Sequence, residues 1–566
     1  MQMKKTLIFF IVILILTSCA KIVTPVGGPK DITPPKIIKE VPANNSVNFE
    51  SKLIKITFDE FVVMNNPLEN VIFSPPIKNN PNFTISRKSV IIKINDTLDE
   101  NKTYSIGFSN AIKDYTEGNP IPFYTYSFST GASIDSFMIE GKILNAESLE
   151  PESNTFVFLY KDNIDSLPLT HRPTYLSKSK SDGSFVIQNI VEGNYKIFAL
   201  KDINNNYIFD LPNESIAFYD ATVSAFPIPK VDSAATSGDS VANIKTKSSR
   251  GDNEELLTLW MFTQHDTIQK LAKTINSQKG LYQFPFKLPM SDFKARQLSP
   301  DSALVYFEIL NKTNDTVTWY FKETISDSVV FEFTANNLSA DTVTLTPYKS
   351  AHRGLLRGAK KEDAAALSIT SSNAGDLYRP LTLTFSYPVH SFDSVPAIII
   401  KNKKSGNDTI VNYLSSAEPF IRSVKIPLIL EEKVPYVVMI RDSVFKGYNN
   451  LYNDSLRLSF SVKSEKDYGN LSMNYLVEDN NQYIVMLLNS GGIEVHKDIV
   501  SATVQITYEH LLPGNYKIKV INDRNKNGKW DTGNYKSQQQ PERITFFSKP
   551  ITIRGYWDLE ETYEIR

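Results

Sequence analysis

Two stretches decide how this chain is read: Val191–Asp210, VEGNYKIFALKDINNNYIFD, and Leu512–Asp531, LPGNYKIKVINDRNKNGKWD. Gly193, Asn194, Tyr195, Lys196 and Ile197 fall on Gly514, Asn515, Tyr516, Lys517 and Ile518. Asp202, Asn204, Asn206 and Asp210 fall on Asp523, Asn525, Asn527 and Asp531 at the same spacing (202 to 523, 210 to 531). Upstream, Phe185 and Ile190 fall on Ile506 and Leu511. A single offset over this many positions marks an internal repeat. Tyr195, Ile197 and Ala199 alternate, as do Tyr516, Ile518 and Val520. Period two predicts a strand with one face in a core.

The rest of the chain has the same character. Its 566 residues are 41% hydrophobic and 22% charged, with 27 Tyr and 33 Phe, enough to build several packed cores. Short runs rich in Val, Ile, Thr, Tyr and Phe recur throughout and predict strands. The 61 basic and 62 acidic residues leave a formal charge of −1, without the basic excess of a nucleic-acid binder.

The N-terminus predicts export. Lys4 and Lys5 precede an apolar run from Leu7 to Leu16. Such a run spans about 15 Å as helix, roughly half a hydrocarbon core, so it suits a signal peptide and not a permanent span. It ends in Leu16-Thr17-Ser18-Cys19, and Cys19 is the sole cysteine. This resembles the bacterial lipobox, which implies an acylated Cys19 after removal of residues 1–18. Residues 19–33, rich in Gly and Pro, read as a tether. Ala20 follows the cysteine where an Asp would resemble inner-membrane retention, so the resemblance implies the outer membrane. The leaflet stays open, with the cell surface favoured over the periplasmic face.

Residues 34–131 carry, in order, Pro34-Pro35, the strand Ile54–Phe58, the segment Thr103–Asp114 and the strand Tyr126–Ser129. This series resembles bacterial Ig-like domains. Leu381–Val389 echoes Ile54–Val62, and Tyr436 and Phe460 stand as far apart as Tyr104 and Phe128. Residues 367–465 are therefore expected to be a second Ig-like domain. Residues 134–222 and 467–566, which contain the quoted repeat, resemble transthyretin-like or collagen-adhesin B-type sandwiches. Residues 256–350 are expected to form a middle β-sandwich, between linkers at 227–254 and 351–366. The predicted fold class is thus all-β, a tandem array of Ig-like and transthyretin-like sandwiches, resembling a Bacteroidota-type outer-membrane lipoprotein.

The quoted loops are the candidate chemistry. Asp523, Asn525, Asn527 and Asp531 stand at positions 1, 3, 5 and 9 of a calcium loop, with Gly528 at position 6. Asp202, Asn204, Asn206 and Asp210 repeat the pattern, with Tyr207 in place of the glycine. Position 12 is Asn534 or Asn213, not the Glu of an EF-hand. Two readings stand: a calcium site, or a polar hairpin whose side chains bond local backbone. Phe209 and Trp530 are expected to pin each loop to its sandwich. The six histidines show no metal-ligand spacing, and no nucleotide or nucleophile motif is present. Asp-Ser/Thr-aliphatic tripeptides recur at Thr97, Ser166, Thr316, Thr342, Thr409 and Ser455. They resemble O-glycosylation acceptors of exported Bacteroidota proteins, and equally suit a turn that starts a strand.

The expectation for function is a non-enzymatic, lipid-anchored envelope scaffold that partners another outer-membrane protein or complex of transport or β-barrel assembly. A cell-surface carbohydrate-binding or adhesion lipoprotein is the alternative.

Overall fold

The computed structural model describes residues 30–229, 256–264, 269–300, 302–311, 313–323, 325–336, 341–348, 367–390, 398–411, 420–426, 430–448 and 450–565. The expected signal peptide, Cys19 and the linker 351–366 lie outside these residues, as do most of the tether and of the linker 227–254. The chain is all-β, and its described residues divide into two compact units. One comprises residues up to Met261 apart from Ala146–Leu149; the other takes those four and Phe262 onward.

The first unit opens with an Ig-like sandwich. Strand Leu53–Phe58 exposes Leu53 and buries Ile54, Ile56 and Phe58, the alternation of a half-buried strand. It sits in a four-stranded sheet with Ile37–Val41, Ser89–Lys93 and Asn82–Ser86. The facing sheet joins Ile72–Ser74, Thr103–Gly107 and Thr125–Ser129. Tyr104 pairs across strands with Phe128, their rings stacked at 5.6 Å. The Tyr104 hydroxyl accepts the N–H of Asp99, five residues upstream, at 3.0 Å.

The second unit repeats this device. Tyr436 pairs with Phe460, the rings stacked at 6.2 Å, and its hydroxyl accepts the N–H of Glu431, again five residues upstream, at 3.2 Å. A buried Tyr tied back to its own strand entry satisfies the hydroxyl and fixes the corner where the chain enters the sheet.

In each unit the sandwich with this Tyr–Phe pair leads directly into one holding a copy of the quoted repeat. The spacing is constant across the junction: Tyr104 to Tyr436, Phe128 to Phe460, and strand Phe137–Asn145 to Gly469–Val477. The constant spacing therefore spans a sandwich together with its successor. In the later copy Gly469–Val477 pairs antiparallel with Val504–Leu511 and parallel with Asp558–Ile565. In the earlier copy Phe137–Asn145 pairs antiparallel with Ser184–Ile190 and parallel with Thr258–Thr263.

That parallel strand corrects one expected boundary. Thr258–Thr263 was expected to open the middle sandwich at 256. Instead it completes the preceding sandwich, where Leu257, Leu259 and Met261 join Ile139, Tyr195 and Ile197 in one core. The 227–254 stretch therefore interrupts a domain and does not separate two. The middle sandwich begins later, with Ile275–Gln278, Leu281–Pro285, Thr316–Phe321 and Tyr306–Leu310 in one sheet and Phe293–Ser299, Val329–Ala335 and Asp341–Leu345 in the other. Its core is aromatic: Trp319 packs on Phe284, Phe331 and Phe333 at 4.7–5.2 Å.

Candidate functional site

The strands that carry the repeat, Asn194–Lys201 and Gly514–Asp523, bury the predicted faces. Tyr195, Ile197 and Ala199 lie in one core, and Tyr516, Ile518 and Val520 in the other. Each strand runs into its loop, and all four expected side chains of each loop come together.

In the later loop the Asp523 carboxylate is buried and accepts the N–H groups of Asn527 and Gly528 at 3.0 and 2.8 Å. Gln482 Nε2 donates to it at 2.7 Å from the neighbouring strand. The Asn525 side-chain oxygen accepts Asn527 N–H at 3.1 Å, and that of Asn527 accepts Lys529 N–H at 2.7 Å. Both amide nitrogens donate to Asp531, at 2.5 and 2.7 Å. The earlier loop repeats this pattern. Asp202 accepts Asn206 and Tyr207 N–H, and Asn204 and Asn206 donate to Asp210 at 3.1 and 2.8 Å.

Sequence reasoning missed one member of each site. Glu542, 2% exposed, accepts the N–H groups of Arg524 and Asp531 at 2.8 and 3.1 Å. Glu214, fully buried, accepts those of Ile203, Asp210 and Leu211 at 3.1–3.2 Å. The Glu follows the last loop Asp closely in one copy (210 to 214) and distantly in the other (531 to 542). No fixed spacing reveals it. The signal that does exist is a Glu inside an otherwise apolar strand approach, as in Glu214-Ser215-Ile216-Ala217-Phe218.

The electrostatics are those of crowded carboxylates. Burial raises the Glu542 pKa above the usual carboxyl value, and the charges of Asp531 and Asp523 add to the shift against its backbone N–H bonds. Burial likewise raises Asp202, with Asp210 adding. The donor set of each loop is all oxygen, as calcium requires. The amide nitrogens of Asn525 and Asn527, however, face Asp531, so a cation needs both amides turned. Among the described residues no group of three or more His, Cys, Asp or Glu is placed to hold a metal ion. Trp530 packs on Ile484, Ile521 and Ile544, and its Nε1 donates to the Glu542 carbonyl at 3.0 Å. Phe209 is buried beside the earlier loop.

A cleft of about 410 Å³ lies in the first unit between the Ig-like sandwich and its successor. Ser74, Phe123, Tyr124, Glu140, Lys178 and Lys180 are among its lining residues. Lys178 donates to the Glu69 carbonyl at 2.8 Å and lies 4.3 Å from the Phe156 ring centre. Burial lowers its pKa, opposed by the charges of Glu69 and Asp202. The described lining holds one carboxylate, Glu140, short of the pair that glycoside hydrolysis needs. Of the tripeptide hydroxyl residues, Thr97, Ser166, Thr342, Thr409 and Ser455 are exposed, while Thr316 is half-buried and bonded to Asp315.

Solved structures with similar features include an S-layer protein, SbsC, 13% identical, covering 91% of this chain and 67% of that one, with a TM-score of 0.13. The major pilin subunit BcpA of Bacillus cereus is 11% identical, with 75% and 98% covered and a TM-score of 0.13. The Bacillus anthracis TIE protein is 10% identical, with 95% and 76% covered and a TM-score of 0.14. At such scores these likenesses carry no argument about this chain. No curated protein matches the sequence. One family model does match: residues 31–130 fit the bacterial Ig-like domain.

Proposed function

We propose that the protein is a non-catalytic scaffold of the cell envelope, anchored through acylated Cys19 in the outer membrane and bound there to another outer-membrane protein or complex. The observation that supports this reading is the duplicated pair of sandwiches, each pair joined by specific polar contacts. In the first unit Leu176 N–H donates to Ser74 Oγ at 3.1 Å, and Asn189 Oδ1 accepts from Ser127 Oγ at 3.3 Å. In the second unit Leu377 N–H donates to the Tyr468 hydroxyl at 2.8 Å, and Tyr378 stacks on His510 at 3.5 Å. Sandwich pairs with fixed junctions suit a protein that spaces and presents surfaces. The strongly shifted tyrosines also sit in structural roles. Tyr126, raised to about 12 by burial, donates to the Pro42 carbonyl, and burial raises Tyr475 and Tyr508, whose hydroxyls bond each other.

Stoichiometric co-purification from detergent-extracted membranes tests the partner; a chain that always elutes alone overturns that half. Cys19→Ser tests the anchor, with release from the membrane fraction expected and unchanged partitioning against it. The adhesion alternative predicts retention on a glycan array by the chain without its first 18 residues.

A further inference from the structure

Within the second unit, a cavity of about 330 Å³ lies between two sheets. One contributes Gln283 and Tyr320 from the middle sandwich, and the other Thr370, Thr384, Ser386 and Arg422 from the second Ig-like sandwich. The strands explain the cluster. Thr370 and Thr384 are direct cross-strand partners on Ile369–Ser372 and Thr382–His390. Ser386 lies two residues on, so it shares their face. Pairing of Thr382–His390 with Phe420–Lys425 then breaks register between Thr384 and Val389. The break leaves Phe385 without a partner on Phe420–Lys425, and Arg422 takes its carbonyl.

Arg422 Nε and Nη2 donate to the Phe385 carbonyl at 3.2 and 3.1 Å, and Nη1 donates to the Tyr320 hydroxyl at 2.5 Å. A guanidinium has five N–H donors. These bonds leave two, one on each terminal nitrogen. Among the described residues no carboxylate pairs with Arg422, and the described lining contains no Asp or Glu. Ser386 Oγ accepts Ser368 N–H at 3.1 Å, which leaves its proton to donate inward. A half-buried cation is thus held in place over the Tyr320 ring, 5.4 Å from its centre, faces hydroxyl groups and, among the described residues, has no carboxylate partner.

We propose that this cavity binds an oxyanion: the carboxylate, sulfate or phosphate group of a small ligand. The two remaining Arg422 N–H groups grip two of its oxygens, and the Ser386 and Thr384 hydroxyls donate to it. The volume lies at the lower end of ordinary ligand sites, which suits a ligand no larger than a sugar acid.

The test is calorimetric titration of the full chain without residues 1–18 with phosphate, sulfate, acetate and glucuronate, at constant ionic strength set with chloride. Saturable binding of at least one is expected, weakened about 10-fold or more by Arg422→Gln, the loss of a charge-assisted pair. The four arms separate the oxyanion types. If none saturates by about 10 mM, or Arg422→Gln binds as the parent does, the proposal is overturned. Should that variant not fold, Arg422→Lys carries the test, since it keeps the charge and loses the fork. Several-fold weakening then supports the site, and unchanged affinity overturns it.

Discussion

The two loops of the repeat share the bonds among their Asp and Asn residues and turn alike, but put a different residue at the turn. Gly528 has φ 73° and Tyr207 has φ 64°; both lie in the left-handed region. Glycine enters that region without steric cost, whereas a residue with a Cβ gives up roughly 1–2 kcal/mol. The earlier loop recovers this through its ring. Tyr207 meets Phe156 edge-on at 5.2 Å and Phe158 at 6.2 Å, with Arg172 over its face at 5.7 Å. Each aromatic contact is worth about 0.5–1.5 kcal/mol beyond burial. The same turn is thus permitted in one copy by an absent side chain and in the other by a well-packed one.

Removing the shared closure tests the equivalence most severely. Glu542→Ala leaves two part-buried N–H groups without acceptors and Glu214→Ala leaves three. Losses of about 2–5 kcal/mol are expected, larger for Glu214. Hydrogen exchange at Arg524 and Asp531, or at Ile203, Asp210 and Leu211, reads each loop separately; unchanged protection would falsify the closure role.

The differing position comes next. Gly528→Ala should cost about 1–2 kcal/mol, because nothing there offsets the strain. Tyr207→Gly should also destabilise, by about 1–2 kcal/mol, as lost ring contacts exceed the relieved strain. A more stable Tyr207→Gly in chemical unfolding would show that the ring does not hold the turn.

Acidity offers a subtler comparison. Glu542 and Asp202 have folded pKa values above their ordinary values of 4.5 and 3.8. For a raised carboxyl the folded state binds the proton more tightly. Its contribution is therefore fully present below the ordinary value and is lost as pH rises through the folded one. Local exchange protection at each loop should fall across that rise; Glu542→Gln and Asp202→Asn should flatten it, and an unaltered slope speaks against these groups.

The smallest effect expected is that of calcium. If Asn525 and Asn527 turn their oxygens inward, an ion relieves the carboxylate crowding. Ligand at about five times its Kd adds about 1 kcal/mol. Calcium titration of the full chain, followed by exchange at both loops, checks this. No change at millimolar ion leaves two hydrogen-bonded hairpins.

Much of this was legible beforehand, because the signals are local. Strand alternation at Tyr195, Ile197 and Ala199 needs only neighbouring residues, as do the Asx-rich loops. The spacing of Tyr104 and Phe128 survives in Tyr436 and Phe460 because a hairpin fixes register. What stayed hidden depends on long-range pairing. Thr258–Thr263 reads as the start of something new, since parallel partners leave no turn between them. Glu214 and Glu542 close their loops at different distances, so no motif includes them. Arg422 is an ordinary strand residue until a register break gives it a carbonyl.

The parallel closing strand bears on how the chain is made and cut. The earlier sandwich cannot complete its core until Leu259 and Met261 have emerged, well after its other strands are synthesised. A shortened protein ending at Pro229 would lack those core residues and leave the Lys142–Asn145 edge open to stray pairing. By the same logic, a protease that cuts anywhere from 230 to 255 severs the backbone without separating the pieces, because the sheet itself spans the cut.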